Sequence, residues 1–344
     1  MRGAVSRTRV YITIDTECAE ERGSAPPLGW DLRVWGRFAN QRRALGIELI
    51  MDELERYNLR GTFFTEALGS AYFGEHGLAD VCRAMVTRGH DVQLHTHPRQ
   101  IVANYRTLGL GAASDDIGAY SVDEQAELLK RGVAILERCG VPAGSVLAFR
   151  AGNFGAHNST WEALARAGLV LDSSFNPGYF DKNCKMRADH PSAGLFLAEH
   201  GVWELPITTF IEKGGAHRHA QITAISRGET RALLEAAHAA GLAEVTIVTH
   251  SFELYHLDSI VERTGRPSSV NVLRLRALAR FLAENRDRFE VDTCGALARR
   301  IQDGTEPRPR HVEHVHGDSR RRVLRFASQA FKRLEQRLPW SLPI

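Results

Sequence analysis

Val10-Tyr11-Ile12-Thr13-Ile14-Asp15-Thr16-Glu17 is an apolar, β-branched run that ends on two carboxylates. Such a run reads as a buried strand. In an extended chain residues two apart share a face, so Asp15 and Glu17 are presented together. The same plan returns downstream. Leu94-His95-Thr96-His97-Pro98 ends a run on two imidazoles that also share a face, and Phe149-Arg150-Ala151-Gly152-Asn153 ends one on a cation. Leu171-Asp172-Ser173-Ser174 ends on an acid, and Ile247-Val248-Thr249-His250-Ser251 on a further imidazole.

Strand candidates recur along the chain at Val10 to Ile14, Gly61 to Thr65, Asp91 to His95, Val146 to Phe149, Leu169 to Leu171, Trp203 to Pro206, Val245 to Thr249 and Phe289 to Val291. Between them lie amphipathic helical patterns at Arg43 to Arg56, Ser121 to Cys139 and Thr160 to Ala167. Ser121 with Glu124 three residues on is a capping-box start, and Gly140 followed by Pro142 is a stop. Alternation of this kind predicts an α/β fold with a parallel sheet, and the strand count favours a closed or nearly closed barrel. In a parallel barrel the reacting groups gather where strands end at their C-terminal edge, so the five polar sets belong on one rim.

The 344 residues, 43% hydrophobic and 25% charged, have the composition of a globular protein with a large core. The net charge of +3 resides in the Arg- and His-rich segment from Arg308 to Arg337, so no nucleic-acid partner is expected. Five widely spaced cysteines, Cys18, Cys82, Cys139, Cys184 and Cys294, form no CxxC pair. Their odd number suits a reduced compartment. With no signal peptide in MRGAVSRTRV and no long apolar run, the expected location is the cytoplasm.

The hydrophobic periodicity lapses near Asp303 in GTEPRPRHVEHVHG. The expected organisation is a catalytic barrel over residues 8–302, a linker over 303–318 and a basic amphipathic helix over 319–344. That helix, capped by Asp318 or Ser319, carries Val323, Phe326, Ala327, Ala330, Phe331, Leu334 and Leu338 on one side and ends near Trp340. It resembles a membrane-surface segment, which predicts peripheral contact at the inner membrane face. The other reading is that its apolar side docks on the barrel or on a partner.

Two histidines with a nearby carboxylate form the ligand set of a catalytic zinc or similar divalent ion, with a position left open for water. On this reading the ligands are His95 and His97 with Glu17, or with Asp15 in its place. The order of the segments resembles the polysaccharide deacetylase family, the NodB-homology proteins of carbohydrate esterase family 4. That family's motifs run TFDDG, HSxxH or HTxxH, RxPxG, DxxxW and LxxH. Here ITIDTE, LHTHP, FRAGNFG, LDSSF and IVTH stand in the same order, supported by Gly61-Thr62-Phe63-Phe64 and Gly89-His90-Asp91-Val92. The resemblance covers roughly residues 8 to 295. This chain departs from it at Thr16, which stands where the second motif aspartate falls, and at Arg99, which stands where the second motif histidine falls. The motif proline is also missing, since Gly152 is followed by Asn153.

The resemblance implies a distorted (β/α)7 barrel and a hydrolase that removes an N- or O-acetyl group from a carbohydrate. It makes Asp15 the base, Arg150 the cation that orients it, and His250 the acid that protonates the leaving group. Asp172 is expected to hold the His250 ring. Asn153, Phe175, Tyr179 and Glu204 are expected to meet substrate. His90 and Trp161 read as structural, and Lys213, His217 and His219 as a solvated loop. The expected substrate is a surface-polysaccharide precursor or intermediate. The rival readings are a carbohydrate-binding relative without catalysis and a C–N hydrolase acting on a small cyclic amide.

Overall fold

The computed structural model describes residues 7–19, 26–101, 114–180, 182–212, 214–317 and 322–337. Seven parallel strands form its centre. They are β1 (Thr8–Thr16), β2 (Thr62–Glu66), β3 (Asp91–Thr96), β4 (Ala148–Ala151), β5 (Leu171–Asp172), β6 (Trp203–Glu204) and β7 (Glu244–His250), laid side by side in the order β7-β1-β2-β3-β4-β5-β6. An eighth strand, β8 (Phe289–Asp292), pairs with the N-terminal half of β1, while β2 pairs with its C-terminal half. Each of the eight runs singled out in the sequence overlaps a strand, although of Leu169 to Leu171 only Leu171 lies in one.

The sheet curls into a distorted barrel. The seam between β6 and β7 is crossed by Thr208 N–H donating to the Thr246 carbonyl at 3.3 Å, and by Thr246 N–H donating to Thr208 Oγ1 at 2.8 Å. The strands are apolar along their length because both faces are covered. Val10, Ile12, Ile14, Phe63, Leu94 and Phe149 are all buried. Around them pack α1 (Ile47–Glu55), α2 (Glu75–Thr87), α3 (Val122–Arg138), α4 (Asn158–Ala167), α5 (Arg227–Ala239), α6 (Ser269–Glu284) and α7 (Cys294–Gln302). Helix α3 starts with the capping box of Ser121 and Glu124, and the chain turns away at Gly140 in a left-handed conformation, φ 101°. His90 and Trp161 are structural, as expected: His90 Nδ1 accepts from Gly61 N–H at 3.1 Å, and Trp161 is buried on α4.

Residues 303–317 form an extended strap laid on the barrel. Glu306 is held by Arg9 on β1 at 2.8 Å and by Arg300 at 2.7 Å. The Val312 carbonyl accepts from Ala193 N–H at 2.7 Å, and the Val315 carbonyl from Ile211 N–H at 3.0 Å. The tail helix, α8 (Arg322–Arg337), follows. Its contacts with the barrel among the described side chains are polar, which neither expected arrangement foresaw. Arg325 bonds Glu229 at 3.0 Å and also pairs with Glu212, Gln329 donates to the Thr223 carbonyl at 2.9 Å, and Glu335 accepts from Ser269 N–H at 2.8 Å. Phe326 and Leu334 remain exposed. The expected cap at Asp318 or Ser319 and the ends at Leu338 and Trp340 lie outside the described residues. No helix among the described residues is long and apolar enough to cross a membrane.

Candidate active site

Strand register assembles the site. In the β1–β7 pair Asp15 stands beside His250, in β3–β4 His95 stands beside Arg150, and in β2–β3 Glu66 stands beside His95. The C-terminal rim therefore gathers Asp15, Glu17, His95, His97, Arg150 and His250, as the strand-end pattern predicts.

Glu17, His95 and His97 converge, with one ligand atom from each lying within 4.8 Å of the others. The hydrogen bonds fix how they face. His95 Nδ1 lies 2.8 Å from the Arg150 carbonyl oxygen, which only accepts, so this nitrogen carries the proton. His97 Nδ1 lies 3.0 Å from Asp115 Oδ2. Each ring thus turns Nε2 towards Glu17 Oε2, at 3.3 Å from His95 and 2.6 Å from His97. Burial opposes a charge here, but His97 and the bonds from both imidazoles hold the Glu17 carboxyl well below the usual range. Burial likewise opposes the His97 imidazolium, and Glu17 and Asp115 outweigh it, so that pKa lies well above the usual value. A proton or a metal ion satisfies this electrostatic pattern. Two imidazoles tied back through Nδ1 to a carbonyl and a carboxylate, with Nε2 directed at a third ligand, is the arrangement that orients histidine for a divalent ion. The residues fit such an ion, with Glu17 as the carboxylate and Asp15 bonded elsewhere.

Asp15 belongs to a second group. Its Oδ1 accepts from Arg150 Nη1 at 2.7 Å, and its Oδ2 lies 3.9 Å from His250 Nε2. Arg150 is fully buried and each of its three nitrogens donates: besides the bond to Asp15, Nε donates to the Ser173 carbonyl at 3.1 Å and Nη2 to Ser173 Oγ at 3.0 Å, and the guanidinium lies 4.2 Å from the Phe64 ring centroid. It cannot rotate away from Asp15 without leaving donors unpaired.

The residue that steers His250 differs from the expected Asp172. His250 Nδ1 stands 3.2 Å from Glu253 Oε1, and Glu253 is itself held by Thr249, Thr223 and Gln221. Burial disfavours the imidazolium, but Glu253 and then Asp15 raise the His250 pKa to about 9, while Glu253 is lowered to about 2 against its burial, mainly by His250. Asp172 is sealed behind the rim, where Ser174 Oγ donates to it at 2.6 Å. Burial raises its carboxyl to about 6 and, with repulsion from Asp172, pushes that of Glu204 well above the usual range.

Glu204, expected to meet substrate, lies in the interior instead. It is fully buried, accepting from Trp161 Nε1 and from Phe175 N–H, both at 3.1 Å. Phe175 is buried too, against Phe180 and Phe196. Tyr179 is half-buried, packed between Phe154 and His219. Asn153 is exposed and donates to Asp115 at 2.8 Å. Asn153 and Phe154, at φ 54° and 56°, are consecutive non-glycine residues in the left-handed region, a strain of about 1 kcal/mol or more each that the surrounding bonds sustain. His217 and His219 are not solvated loop but one strand of a hairpin, Thr209–Ile211 with His217–His219. Lys213 lies outside the described residues.

Sequence reasoning missed Glu253, Asp115 and Glu66. Glu253 follows His250 by three residues, a spacing that a turn after a strand converts into a contact. Asp115 lies on no strand and carries no such signal. Glu66 ends β2 and accepts from the N–H groups of Leu68, Gly69 and His97, supporting the backbone beneath the ligand imidazole. Burial raises its carboxyl to about 7.

The chain matches no protein-family model, and no curated protein matches it. Among solved structures it is similar to a Parabacteroides distasonis protein described as a "putative glycoside hydrolase/deacetylase", at TM-score 0.55 and 11% identity over 91% of this chain and 76% of that one. It is similar to a "putative polysaccharide deacetylase" from Mycobacterium smegmatis, at TM-score 0.52 and 17% identity over 91% and 96%. It is also similar to a 4-alpha-glucanotransferase from Thermococcus litoralis, at TM-score 0.51 and 11% identity over 91% and 42%.

Proposed function

From the NodB-type polysaccharide deacetylase fold that these likenesses show, we propose that the protein is a metal-dependent hydrolase that removes an acetyl group from a carbohydrate. The observation that carries this reading is the adjacency of the Glu17-His95-His97 cluster to a separately wired Asp15-Arg150-His250-Glu253 chain. A binding module needs no such chain.

Glu17, His95 and His97 would hold the ion, and a set of two imidazoles and one carboxylate suits zinc. When bound, such an ion polarises an acetyl carbonyl and brings the pKa of water towards ~7. Asp15, kept in place by Arg150, takes the proton of the attacking water. His250, cationic and aligned by Glu253, gives its proton to the departing nitrogen or oxygen. One acceptor and one donor of protons thus flank the cluster, as acyl hydrolysis requires.

Each of the five cysteines is a buried thiol, which supports the cytoplasm as the place of action. The substrate is then a soluble or lipid-linked polysaccharide precursor. The exposed Phe326 and Leu334 of α8, among basic residues, support contact with the inner membrane face. The test is metal analysis of the purified protein together with acetate release from acetylated sugars. Release that survives complete removal of metal, or a protein that binds no divalent ion, overturns the reading.

A further inference from the structure

Helix α8 meets the barrel at the residues that hold Glu253. The short segment 220–223 runs beside the end of β7: the Ala220 carbonyl accepts from Val248 N–H at 2.9 Å, and Ile222 N–H donates to the Val248 carbonyl at 3.0 Å. From this segment Thr223 Oγ1 donates to Glu253 Oε1 at 3.0 Å, and Gln221 Nε2 donates to the same oxygen. That oxygen is the one that faces His250 Nδ1 at 3.2 Å. The seat of the imidazole therefore depends on where residues 221 and 223 lie.

Two helices fix that segment from behind. Gln329 of α8 donates to the Thr223 carbonyl at 2.9 Å. Arg274 of α6 donates to the same carbonyl at 3.1 Å and to that of Ile222 at 3.0 Å. A carbonyl oxygen has two lone pairs, and these two donors use both. Helix α6 also holds the backbone of Glu253, whose carbonyl accepts from Asn271 Nδ2 at 2.7 Å, and the start of α6 is tied to α8 through Ser269 N–H and Glu335. Lys332, one turn on from Gln329 and on the same face of α8, is half-buried, whereas Arg333 beside it is exposed. Burial opposes the Lys332 charge and so does Arg274, while Glu253 and Glu335 favour it. Lys332 thus adds a second cation to Arg274 in the field of the Glu253 carboxylate.

We propose that Gln329 and Lys332 of α8 are positioning residues for the proton donor, holding the His250 ring in place through Thr223 and Glu253. This rests on the reading of His250 as the acid. It makes the tail helix part of the scaffold of the active site. Neither residue touches the reacting atoms, yet a misplacement of about 1 Å transmitted from a distance costs on the order of 10²-fold in rate. Because Arg274 still holds the Thr223 carbonyl when Gln329 is lost, a smaller effect is expected here.

The experiment uses the full chain with Gln329→Leu and Lys332→Met, each alone, beside Lys332→Arg and the exposed Arg333→Ala. Arg325 and Glu335 remain to keep α8 docked in all four. Two soluble esters separate the roles. Glucose pentaacetate releases alkoxides that need a proton, whereas 4-nitrophenyl acetate releases a phenolate that does not. We expect Gln329→Leu and Lys332→Met to lower kcat on the sugar ester about tenfold, with KM and the aryl ester turnover held within about twofold and with Lys332→Arg and Arg333→Ala parent-like. Equal losses on both esters, a change in KM alone, or no loss on the sugar ester overturns the proposal. The second readout needs no turnover. The Glu253 carboxylate only accepts, so His250 Nδ1 carries a proton, and its NMR signal at neutral pH, assigned with His250→Gln, should move upfield in Gln329→Leu and Lys332→Met and stay in place in Arg333→Ala. A signal unmoved in the first two variants also overturns the proposal. Where the parent turns over neither ester, it is the acyl-hydrolase reading that fails, and the His250 signal alone decides whether α8 positions the ring.

Discussion

The His97 imidazole occupies the space that a side chain on Gly152 would fill: a Cβ at residue 152 would lie 2.6 Å from both Cε1 and Nδ1 of the ring. The ring cannot retreat freely, because Glu17 and Asp115 hold its two nitrogens. We therefore expect Gly152→Ala to fold but to bind zinc at least tenfold more weakly, in line with the usual effect of disturbing a ligand's orientation. Competition with a chelating dye checks this. Unchanged affinity would show that His97 is not a ligand.

Asp115→Asn keeps the shape of the side chain and removes the charge that His97 Nδ1 faces. Metal affinity should fall 10- to 100-fold. The same titration on Asn153→Ala, which removes a donor to Asp115 and nothing at the cluster, should give a smaller loss. A larger loss for Asn153→Ala would place the orienting group elsewhere.

His250 must be protonated to donate, and Glu253 keeps its pKa at about 9. The fall in kcat/KM on the alkaline side should lie near that pH in the parent, and Glu253→Gln should move it down by about one unit or more. The same pair affects stability. The His250 contribution is complete below its ordinary value of 6.5 and is lost as pH rises through about 9, and that of Glu253 is complete above 4.5 and is lost as pH falls through about 2. Thermal melts of the parent and Glu253→Gln should therefore differ most between pH 4.5 and 6.5. A pH profile identical in the two proteins removes Glu253 from the mechanism.

Asp15→Asn and His250→Ala should each lower turnover by roughly 10²-fold or more, the range for single acid and base groups. Arg150→Ala should differ from both by also unfolding more easily, because it strips the buried Asp15 of its counter-charge, at a cost of about 3–5 kcal/mol. Urea denaturation separates the cases. Parent-like stability in Arg150→Ala would mean that Asp15 finds another partner.

If α8 contacts a membrane, its outward residues carry the contact. The double variant Phe326→Ser with Leu334→Ser leaves Arg325, Gln329 and Glu335 docked and should abolish cosedimentation with anionic vesicles while sparing turnover of a soluble substrate. Cosedimentation equal to that of the parent would eliminate the membrane contact.

The strands were legible because a barrel strand buried on both faces announces itself as an apolar run, and the polar residues that end those runs became the site. That is how Asp15, Glu17, His95, His97, Arg150 and His250 could be found together. Asp172 and Glu204 misled for the same reason: both end strands, but β5 and β6 are two residues long and their acids turn into the protein interior. Glu253 and Asp115 lie in connections after the strands, where partners depend on how the chain turns rather than on a period. The tail's polar docking was hidden because helical amphipathicity reveals which side is apolar, not which side finds charged partners.

The order of assembly follows from where the partners of β1 lie in the chain. Arg9, near its start, pairs with Glu244 across 235 residues and with Glu306 across 297. During synthesis β1 emerges before the other strands of the sheet, and one of its edges waits some 235 residues before β7 arrives to cover it. Contacts this distant in sequence close slowly, and an uncovered apolar edge recruits other strands. Folding of this protein is therefore most exposed to aggregation in the interval before β1 meets β7.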